Sequence, residues 1–473
     1  MPNILMIPID NRPVCYDLPA QIIRQDSSWQ FFIPPREFLG GLFSYADYES
    51  ILLWLKNITE QNKIDYAILS LDTIAYGGLI ASRRIEIDLQ ELKNRVDNFL
   101  SILPDEIKIF ATSSIMRISN NNINEEEKEY WNLYGKAIFE YSYKFHQTGV
   151  EPVHSIPKDI LDDYLSTRKR NFDLNKYFLA LVKDNVFDYM VISQDDTAQY
   201  GLNVKEGNEL RQVINQNNLV ATIKTGADEI PLSLLGRAFC DFYKKSPSVM
   251  PVFSHSSGAN VISRYEDVTI ENSFLGQINI CGAKPCYDEV FADFVLYLNT
   301  PVFAQDDLAM QVFSDNSSGA VFSKPKGEFS IADIQSANGA QNGFLEQVLE
   351  GNSENLLSYA GWNTTANSLG SVLSASLVRY FANKNNSLNE IAVLKLLSIR
   401  LLDDWAYQAN LRQKLRQNPN FDLKNAYLEY IKKVEKFLNI KISDFSFYFP
   451  WDRTFEIGLE FNIKKGENDV FDL

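Results

Sequence analysis

Two adjacent acids, Asp195 and Asp196, directly follow an apolar run of the sequence. Adjacent carboxylates repel each other, so either one of them keeps its proton at a raised pKa or both bind a cation. General acid–base catalysis and metal coordination both use such a pair. The structural alternative is that one acid caps the next helix while the other pairs with a basic side chain. The neighbouring polar residues Gln194 and Tyr200 favour the functional interpretation.

A second pair of acids, Asp228 and Glu229, follows the next apolar run in the same way. Gly226 before them permits a tight turn, and Asp228 suits the N-cap of a helix that starts near Pro231. A cap accounts for one acid but not for both, so a structural role and a catalytic role are equally open. The predicted catalytic residues are Asp195, Asp196, Asp228 and Glu229.

Polar and basic side chains follow several other apolar runs. Arg12 suits a carboxylate, a phosphate or a sugar hydroxyl, because its guanidinium presents several donors in one plane. A buried ion pair between Asp10 and Arg12 is the structural alternative. His255 suits a base or a ligand, although a lone histidine is more often structural. The predicted substrate-binding residues are Asp10, Asn11, Arg12, Asp72, Tyr76, Arg117, Gln194, His255, Asn338, Trp362 and Asn363.

The segment around Trp362 combines an aromatic ring with amides and hydroxyls. In a binding site, Trp362 would stack on a polyhydroxylated or amide-bearing ligand and Asn363 would hydrogen-bond to it. The alternative places Trp362 in the core beside a helix N-terminus, and both interpretations are open.

Metal sites built from histidine or cysteine are not indicated by the sequence. It has three histidines and four cysteines, and Cys281 and Cys286 are spaced more widely than a C-x-x-C pair. We therefore expect structural thiols and no cofactor. The alternative is a divalent cation with oxygen ligands, of the Mg, Mn or Ca type.

The elements that must position these residues are short apolar runs, most of them followed by a helical stretch. Continuous apolar runs are typical of strands buried on both faces, and their alternation with helices predicts βαβ units in a parallel sheet. Right-handed crossovers bring the carboxyl ends of such strands to one edge, where ligands bind. The predicted strands are residues 4–9, 31–33, 67–71, 107–111, 189–192, 219–223, 249–253, 294–298, 331–334 and 356–359.

These elements predict an α/β fold with two doubly wound, Rossmann-like halves. The alternative is a βα barrel with an appended α/β domain. A boundary near Lys244–Ser248 divides the chain into an N-terminal domain, residues 1–246, and a C-terminal domain, residues 247–473, with long helices within 369–438. A further helix is predicted over residues 125–145, because three glutamates at its start would favour a helix N-terminus.

Composition indicates a globular protein that binds neither nucleic acid nor membranes. Of its 473 residues, 45% are hydrophobic and 22% are charged. The net charge of −16 repels phosphate backbones and anionic lipid headgroups. The apolar start of the chain lacks the basic region of a signal peptide, and no apolar run approaches the roughly 20 residues of a membrane span. We expect a cytoplasmic protein of undetermined oligomeric state.

Several familiar catalytic signatures are absent from the sequence. It has no G-x-x-x-x-G-K-[ST] loop, no G-x-G-x-x-G after the first strand, no G-x-S-x-G elbow and no H-E-x-x-H. These absences disfavour a P-loop NTPase, an ordinary dinucleotide-dependent oxidoreductase, a lipase-type hydrolase and a zincin.

Six separated segments resemble a bacterial family catalogued as domain of unknown function 4127. They are Pro8-Ile9-Asp10-Asn11-Arg12-Pro13, Pro34-Pro35-Arg36-Glu37, Ser70-Leu71-Asp72 with Tyr76-Gly77-Gly78-Leu79, Ser193-Gln194-Asp195-Asp196, Gly226-Ala227-Asp228-Glu229 and Tyr359-Ala360-Gly361-Trp362-Asn363-Thr364. The resemblance extends from near residue 4 to near residue 456. It implies one shared architecture over almost the whole chain and assigns no reaction.

The favoured function is a glycosidase-like hydrolase that acts on a glycan or another polar small molecule. Its chemistry needs one protonated and one ionised carboxyl group, set by different surroundings. One would be Asp195 or Asp196, and its partner Asp228, Glu229 or Asp10. A separation of about 5 Å would indicate retention of configuration, and roughly 6.5–9.5 Å would indicate inversion.

Two other functions are consistent with the same residues. A metal-assisted hydrolase or lyase would place Asp10, Asp72, Asp195 and Asp196 around a cation. A non-catalytic protein would close two α/β lobes on a small ligand. We rank it last, because acids outnumber hydroxyls and amides at the predicted strand ends.

Overall fold

The chain forms two compact units in a computed structural model, which describes residues 1–195, 197–314, 316 and 321–466. The first unit comprises Met1–Tyr16, Trp29–Pro231 and Tyr265–Asp267, and the second comprises Asp17–Ser28, Leu232–Arg264 and Val268–Leu473. Two of the passages of the chain between the units lie within helices, Pro13–Ile23 and Ile230–Phe242. The predicted domain boundary between residues 246 and 247 lies just after the second of these helices.

The first unit is built on a six-stranded parallel sheet. Its strands are β1 (Asn3–Ile7), β2 (Gln30–Phe32), β3 (Tyr66–Ser70), β4 (Lys108–Ile115), β5 (Tyr189–Gln194) and β6 (Ala221–Thr225). Their order is β2-β1-β3-β4-β5-β6, and all neighbours pair in parallel. Strands β1 and β3 are almost fully buried, as their continuous apolar sequences require.

Helices alternate with these strands. They are α1 (Pro13–Ile23), α2 (Tyr48–Gln61), α3 (Leu71–Tyr76), α4 (Ala81–Arg84), α5 (Leu89–Leu100), α6 (Trp131–Thr148), α7 (Lys158–Lys183), α8 (Leu202–Asn217) and α9 (Ile230–Phe242), with a 3-10 turn at Arg36–Phe38. Local capping fixes some of their starts, since Asp47 and Asp88 accept hydrogen bonds from the backbone of Ser50 and Glu91.

One predicted helix is wrong at its N-terminus. We expected a helix from residue 125, but α6 begins at Trp131. The preceding glutamates bind arginines instead: Glu126 and Glu127 both pair with Arg117. Specific ion pairs hold these acids outside the helix, and the interaction with the helix dipole is the weaker effect.

The second unit contains a five-stranded parallel sheet and an antiparallel hairpin. The strands are β7 (Ser248–Phe253), β8 (Lys284–Pro285), β9 (Phe294–Asn299), β10 (Asp306–Asp307), β11 (Phe329–Asp333), β12 (Ser336–Ala337), β13 (Leu356–Ala360), β14 (Ile440–Tyr448) and β15 (Gly458–Lys465). The parallel sheet has the order β13-β11-β9-β7-β8, while β10 pairs with β12 and β14 pairs with β15.

Helices of the second unit cover this sheet and the hairpin. They are α10 (Ile270–Ile280), α11 (Asn342–Glu350), α12 (Thr365–Lys384), α13 (Glu390–Arg400), a π-helix (Leu401–Leu411), α14 (Arg412–Gln417) and α15 (Leu423–Leu438), with 3-10 turns at Ser256–Asn260, Glu289–Phe291 and Pro450–Asp452. None of the helices in the described part of the chain combines the length and apolar character that crossing a membrane requires.

Both parallel sheets share one strand order, and this confirms the α/β prediction. Read along the chain, the first runs 2-1-3-4-5-6 and the second 2-1-3-4-5. Each of the ten predicted strands is present, and within the described residues neither sheet closes on itself, so the barrel alternative is wrong. In such sheets the strand order reverses between the first and third strands, and ligands bind beyond the carboxyl ends there. These points lie between β1 and β3 and between β7 and β9.

Candidate functional site at the strand ends

A buried ion-pair cluster joins the turns after β1 and β6. Arg12 donates from Nε to Asp10 Oδ2 at 2.9 Å, and from Nη2 and Nη1 to Asp228 Oδ1 and Oδ2 at 2.7 and 3.2 Å. The three side chains are at most 10% exposed. Because β3, β4 and β5 lie between β1 and β6, the cluster reaches across the carboxyl edge of the sheet. The Asp10–Arg12 pairing considered from the sequence is therefore present and includes Asp228.

Asp72 lies in the first turn of α3, directly after β3. It is 3% exposed, and the hydroxyl and backbone N–H of Ser114 donate to its carboxylate. Burial raises the pKa of Asp72 from 3.8 to about 7, against the opposing effects of Ser114 and Arg83. Ser193 in turn donates to the Ser114 hydroxyl at 2.8 Å. The ends of β3, β4 and β5 are thus connected by a row of hydrogen-bonded side chains.

Arg117 follows β4 and contacts three acids. It donates from Nη2 to Glu126 and from Nε to Glu127, at 2.9 and 3.0 Å, and its Nη1 lies 3.6 Å from Asp195 Oδ2. Glu127 also accepts from Arg83 at 2.9 Å. The Asp195 side chain is 25% exposed and that of Arg117 is 17% exposed. Asp195 is therefore a carboxylate accessible to solvent and held beside a guanidinium.

Glu229 lies under the turn that follows β6. Its Oε2 accepts the backbone N–H of Ala227 at 3.1 Å, and the side chain is fully buried. Gly226 has a φ of +108°, and a Cβ there would lie 2.0 Å from Glu229 Oε1. Burial raises the pKa of Glu229 to about 7, although the nearby Lys224 opposes the shift. Asp228 thus binds Arg12, and Glu229 accepts a hydrogen bond from the turn itself.

Three other predicted binding residues of the first unit are held by neighbouring groups. Gln194 accepts a hydrogen bond from Arg211 at 2.7 Å, and the backbone carbonyl of Asn11 accepts one from Arg36 at 3.2 Å. Tyr76 is 3% exposed, and burial raises the pKa of its hydroxyl above the ordinary value. These contacts position the strand-end turns.

The predicted residues of the second unit lie at the carboxyl ends of its own sheet. Trp362 is 6% exposed and donates from Nε1 to Ser371 at 3.1 Å, so its ring lies in the core, as the second of the two open interpretations has it. Asn338 and Asn363 have positive φ angles of 63° and 50°, and the Asn338 N–H donates to the Asn363 carbonyl at 2.7 Å. His255 lies after β7, at the start of a 3-10 turn.

A buried acidic network of the second unit was missed from the sequence. Asp333, at the end of β11, accepts hydrogen bonds from Asn299 at 2.7 Å and from Tyr359 at 3.2 Å, and burial raises its pKa to about 7. Asp404, in the π-helix, accepts from the Gly361 N–H at 2.8 Å, and burial raises its pKa as well. An acid inside the apolar run Ile331-Ala332-Asp333-Ile334 is the signal that could have revealed the first of them.

The structure brings several predicted residues of the first unit together. Asp10, Arg12 and Asp228 form one cluster, and Arg117 with Asp195 forms a second. Asp196 lies outside the described residues. Within the part of the chain that the structure describes, no group of three or more His, Cys, Asp or Glu side chains is arranged to hold a metal ion.

Comparisons with known proteins give a family and no activity. The family model described as "Protein of unknown function (DUF4127)" matches residues 4–460. No curated protein matches the chain. A crystal structure of a UGT transferase from Siraitia grosvenorii in complex with UDP is 9% identical and covers 92% of this chain and 100% of its own, with a TM-score of 0.22. So low a score supports no inference about this chain. The match over nearly the whole length confirms the resemblance carried by the six motifs: the chain belongs to the DUF4127 family of proteins of unknown function.

Proposed function

We propose that the protein is a hydrolase that acts on a glycan or another polar small molecule by acid–base chemistry at the carboxyl edge of the first sheet. Glu229 is the group that carries the proton, and Asp228 is the neighbouring carboxyl group that Arg12 holds in place. Asp195 binds the substrate beside them. The proposal requires no cofactor.

The observation that carries the proposal is the contrast between two adjacent carboxyl groups. Both oxygens of Asp228 accept hydrogen bonds from the guanidinium of Arg12. Glu229 is fully buried, and its pKa is raised to about 7. Neighbouring carboxyl groups in such different surroundings are the usual basis for assigning an acid and a base.

The neighbouring strand end supports the assignment of Asp195. Strand β5 pairs with β6 as far as Gln194 and Thr225, and the Gly226 N–H donates to the Gln194 carbonyl at 3.0 Å. Asp195 therefore leaves the sheet beside the turn that carries Asp228. It is the more exposed of the two carboxylates, at 25% against 10%. A hydroxyl-bearing substrate would meet it first.

The test is a pH–activity profile on a panel of p-nitrophenyl glycosides. We expect Glu229→Gln and Asp228→Asn to reduce kcat/KM by about 10²–10⁴, the range for losing a general acid or base. Because burial raises the pKa of Glu229 to about 7, the Glu229 variant should also lose the limb of the profile near that pH. Glu106→Gln and Asp105→Asn are matched controls at exposed positions of the same unit.

Either of two results would refute the proposal: hydrolysis of none of these glycosides by the folded wild-type protein, or an unchanged profile in the Glu229 variant. If hydrolysis occurs, the anomeric configuration of the first product, followed by NMR, distinguishes retention from inversion. Retention would imply that the acting carboxyl groups lie about 5 Å apart, and inversion roughly 6.5–9.5 Å.

A further inference from the structure

Two exposed aromatic side chains lie close together in the connection between β2 and α2. Phe43 is 77% exposed and Tyr45 is 50% exposed. Single apolar side chains at a surface need no explanation, but this connection exposes two aromatic rings within three residues. We call residues 40–46 the aromatic loop.

Backbone contacts fix the aromatic loop at both ends. The Gly40 carbonyl accepts the Asn11 N–H at 3.2 Å, and the Ala46 N–H donates to the Gly77 carbonyl at 2.9 Å. A Cβ on Gly40 would lie 2.3 Å from the Gly77 oxygen, so this approach requires glycine. Asn11 follows β1 and Gly77 ends α3 after β3. The aromatic loop is therefore tied to both turns that flank the point where the strand order reverses.

Arg84 holds the middle of the aromatic loop. Its Nη1 donates to the Leu42 carbonyl at 2.7 Å, and its guanidinium lies 5.3 Å from the centre of the Phe43 ring. Its other nitrogens donate to the backbone carbonyls of Glu127 and Glu125. The backbone that carries Phe43 is thus constrained, and the loop would lose little conformational entropy when a ligand stacks on Phe43.

We propose that the aromatic loop is the stacking surface for a sugar ring of the substrate, with Phe43 and Tyr45 as the contact residues. This inference rests on the proposed hydrolase function and names its substrate class as a neutral carbohydrate. One face of a pyranose ring consists of C–H groups, which pack against the electron-rich face of an aromatic ring. The net charge of −16 disfavours phosphate-bearing ligands such as nucleotides, whose bases would also stack.

The experiment measures binding and hydrolysis separately. Binding of neutral oligosaccharides (cellobiose, maltotriose, xylobiose and chitobiose) is measured by saturation-transfer NMR and titration for wild type, Phe43→Ala and Tyr45→Ala. We expect each variant to lose affinity about tenfold, equivalent to about 1.4 kcal/mol, while Phe43→Trp retains binding. Phe291→Ala, at a 73% exposed aromatic of the second unit, is the matched control and should bind as wild type.

Each outcome bears on the inference. A loss of affinity only in the aromatic-loop variants supports the stacking surface. If the protein binds these sugars in that way but hydrolyses none of them, only the hydrolase proposal fails. Hydrolysis with an unchanged KM in Phe43→Ala overturns the stacking surface and leaves the hydrolase proposal standing. Absence of binding by all four oligosaccharides overturns it as well. Because the two side chains are exposed, melting temperatures should be unchanged, and circular dichroism checks that the variants are folded.

Discussion

Asp72 makes a pH-dependent contribution to stability that Asp72→Asn should remove. The pKa of Asp72 is about 7 in the folded protein and 3.8 for an ordinary aspartate, because burial disfavours its charged form. Below about pH 4 the group is protonated in the folded and unfolded states, so its ionisation does not change the free energy of unfolding. As the pH rises toward 7, the unfolded chain releases this proton first and the folded state loses relative stability. Above about pH 7 the group is ionised in both states, and the loss of stability has reached its full size.

The size of the effect follows from the shift. Each pKa unit corresponds to about 1.4 kcal/mol, so the change from 3.8 to about 7 amounts to roughly 4 kcal/mol. Asparagine is neutral throughout and still offers an oxygen to the donors of Ser114. Any loss of packing or hydrogen bonding in the variant is independent of pH and cancels when two pH values are compared. The expected signal is therefore the change, between two pH values, in the stability difference from wild type.

The assay is urea unfolding followed by circular dichroism at about pH 4.5 and about pH 8. At each pH, the free energy of unfolding of wild type is subtracted from that of Asp72→Asn. This difference should be larger at about pH 8 than at about pH 4.5, by up to about 4 kcal/mol. Asp105→Asn, at an exposed position of the same unit, should show a change near zero. If the two variants behave alike, the burial argument for Asp72 is refuted.

Three further predictions concern the turns of the first unit. Arg12→Lys should destabilise the protein by about 3–5 kcal/mol in urea unfolding, because lysine cannot bridge Asp10 and Asp228 and leaves a buried charge; an effect below about 1 kcal/mol would contradict the geometry. Gly226→Ala should cost about 1–3 kcal/mol through its positive φ and its contact with Glu229, and an unchanged melting temperature would count against this. His146 Nδ1 accepts the Gly201 N–H at 3.0 Å, and burial lowers the pKa of this histidine. Acidification to about pH 5 should therefore accelerate exchange at Gly201 about tenfold beyond the intrinsic change. His146→Asn keeps an acceptor and should abolish that acceleration; equal behaviour of wild type and variant would rule out the histidine as its cause.

The strands could be predicted from the sequence because parallel strands buried on both faces are continuous apolar runs. The same rule predicted that Asp10, Asp195 and Asp228 share one edge. It could not predict that Arg12 bridges Asp10 and Asp228, since the two turns follow strands that are not neighbours. That contact depends on how the turns fold over the edge, which local patterns do not encode.

The errors have identifiable physical causes. Glutamates just before a helical stretch look like the first turn of the helix whether or not they lie in it. Here Glu126 and Glu127 bind Arg117 and lie before the helix. Asp333 lies inside the predicted strand of residues 331–334 and was not named as a site residue, although one buried acid among strand residues indicates a polar network. The π-helix that carries Asp404 differs too little in periodicity from an α-helix to be recognised from its apolar pattern.

The bridge between Arg12 and Asp228 also has a consequence for the order of folding. Its two partners are separated by 216 positions in the chain. Because a chain is synthesised from its N-terminus, Arg12 cannot meet Asp228 until the turn after β6 has been made, and this contact therefore forms late. Contacts of such long sequence separation slow folding, because the loop must close before the contact stabilises it. We therefore expect Arg12 variants to speed unfolding far more than they slow folding.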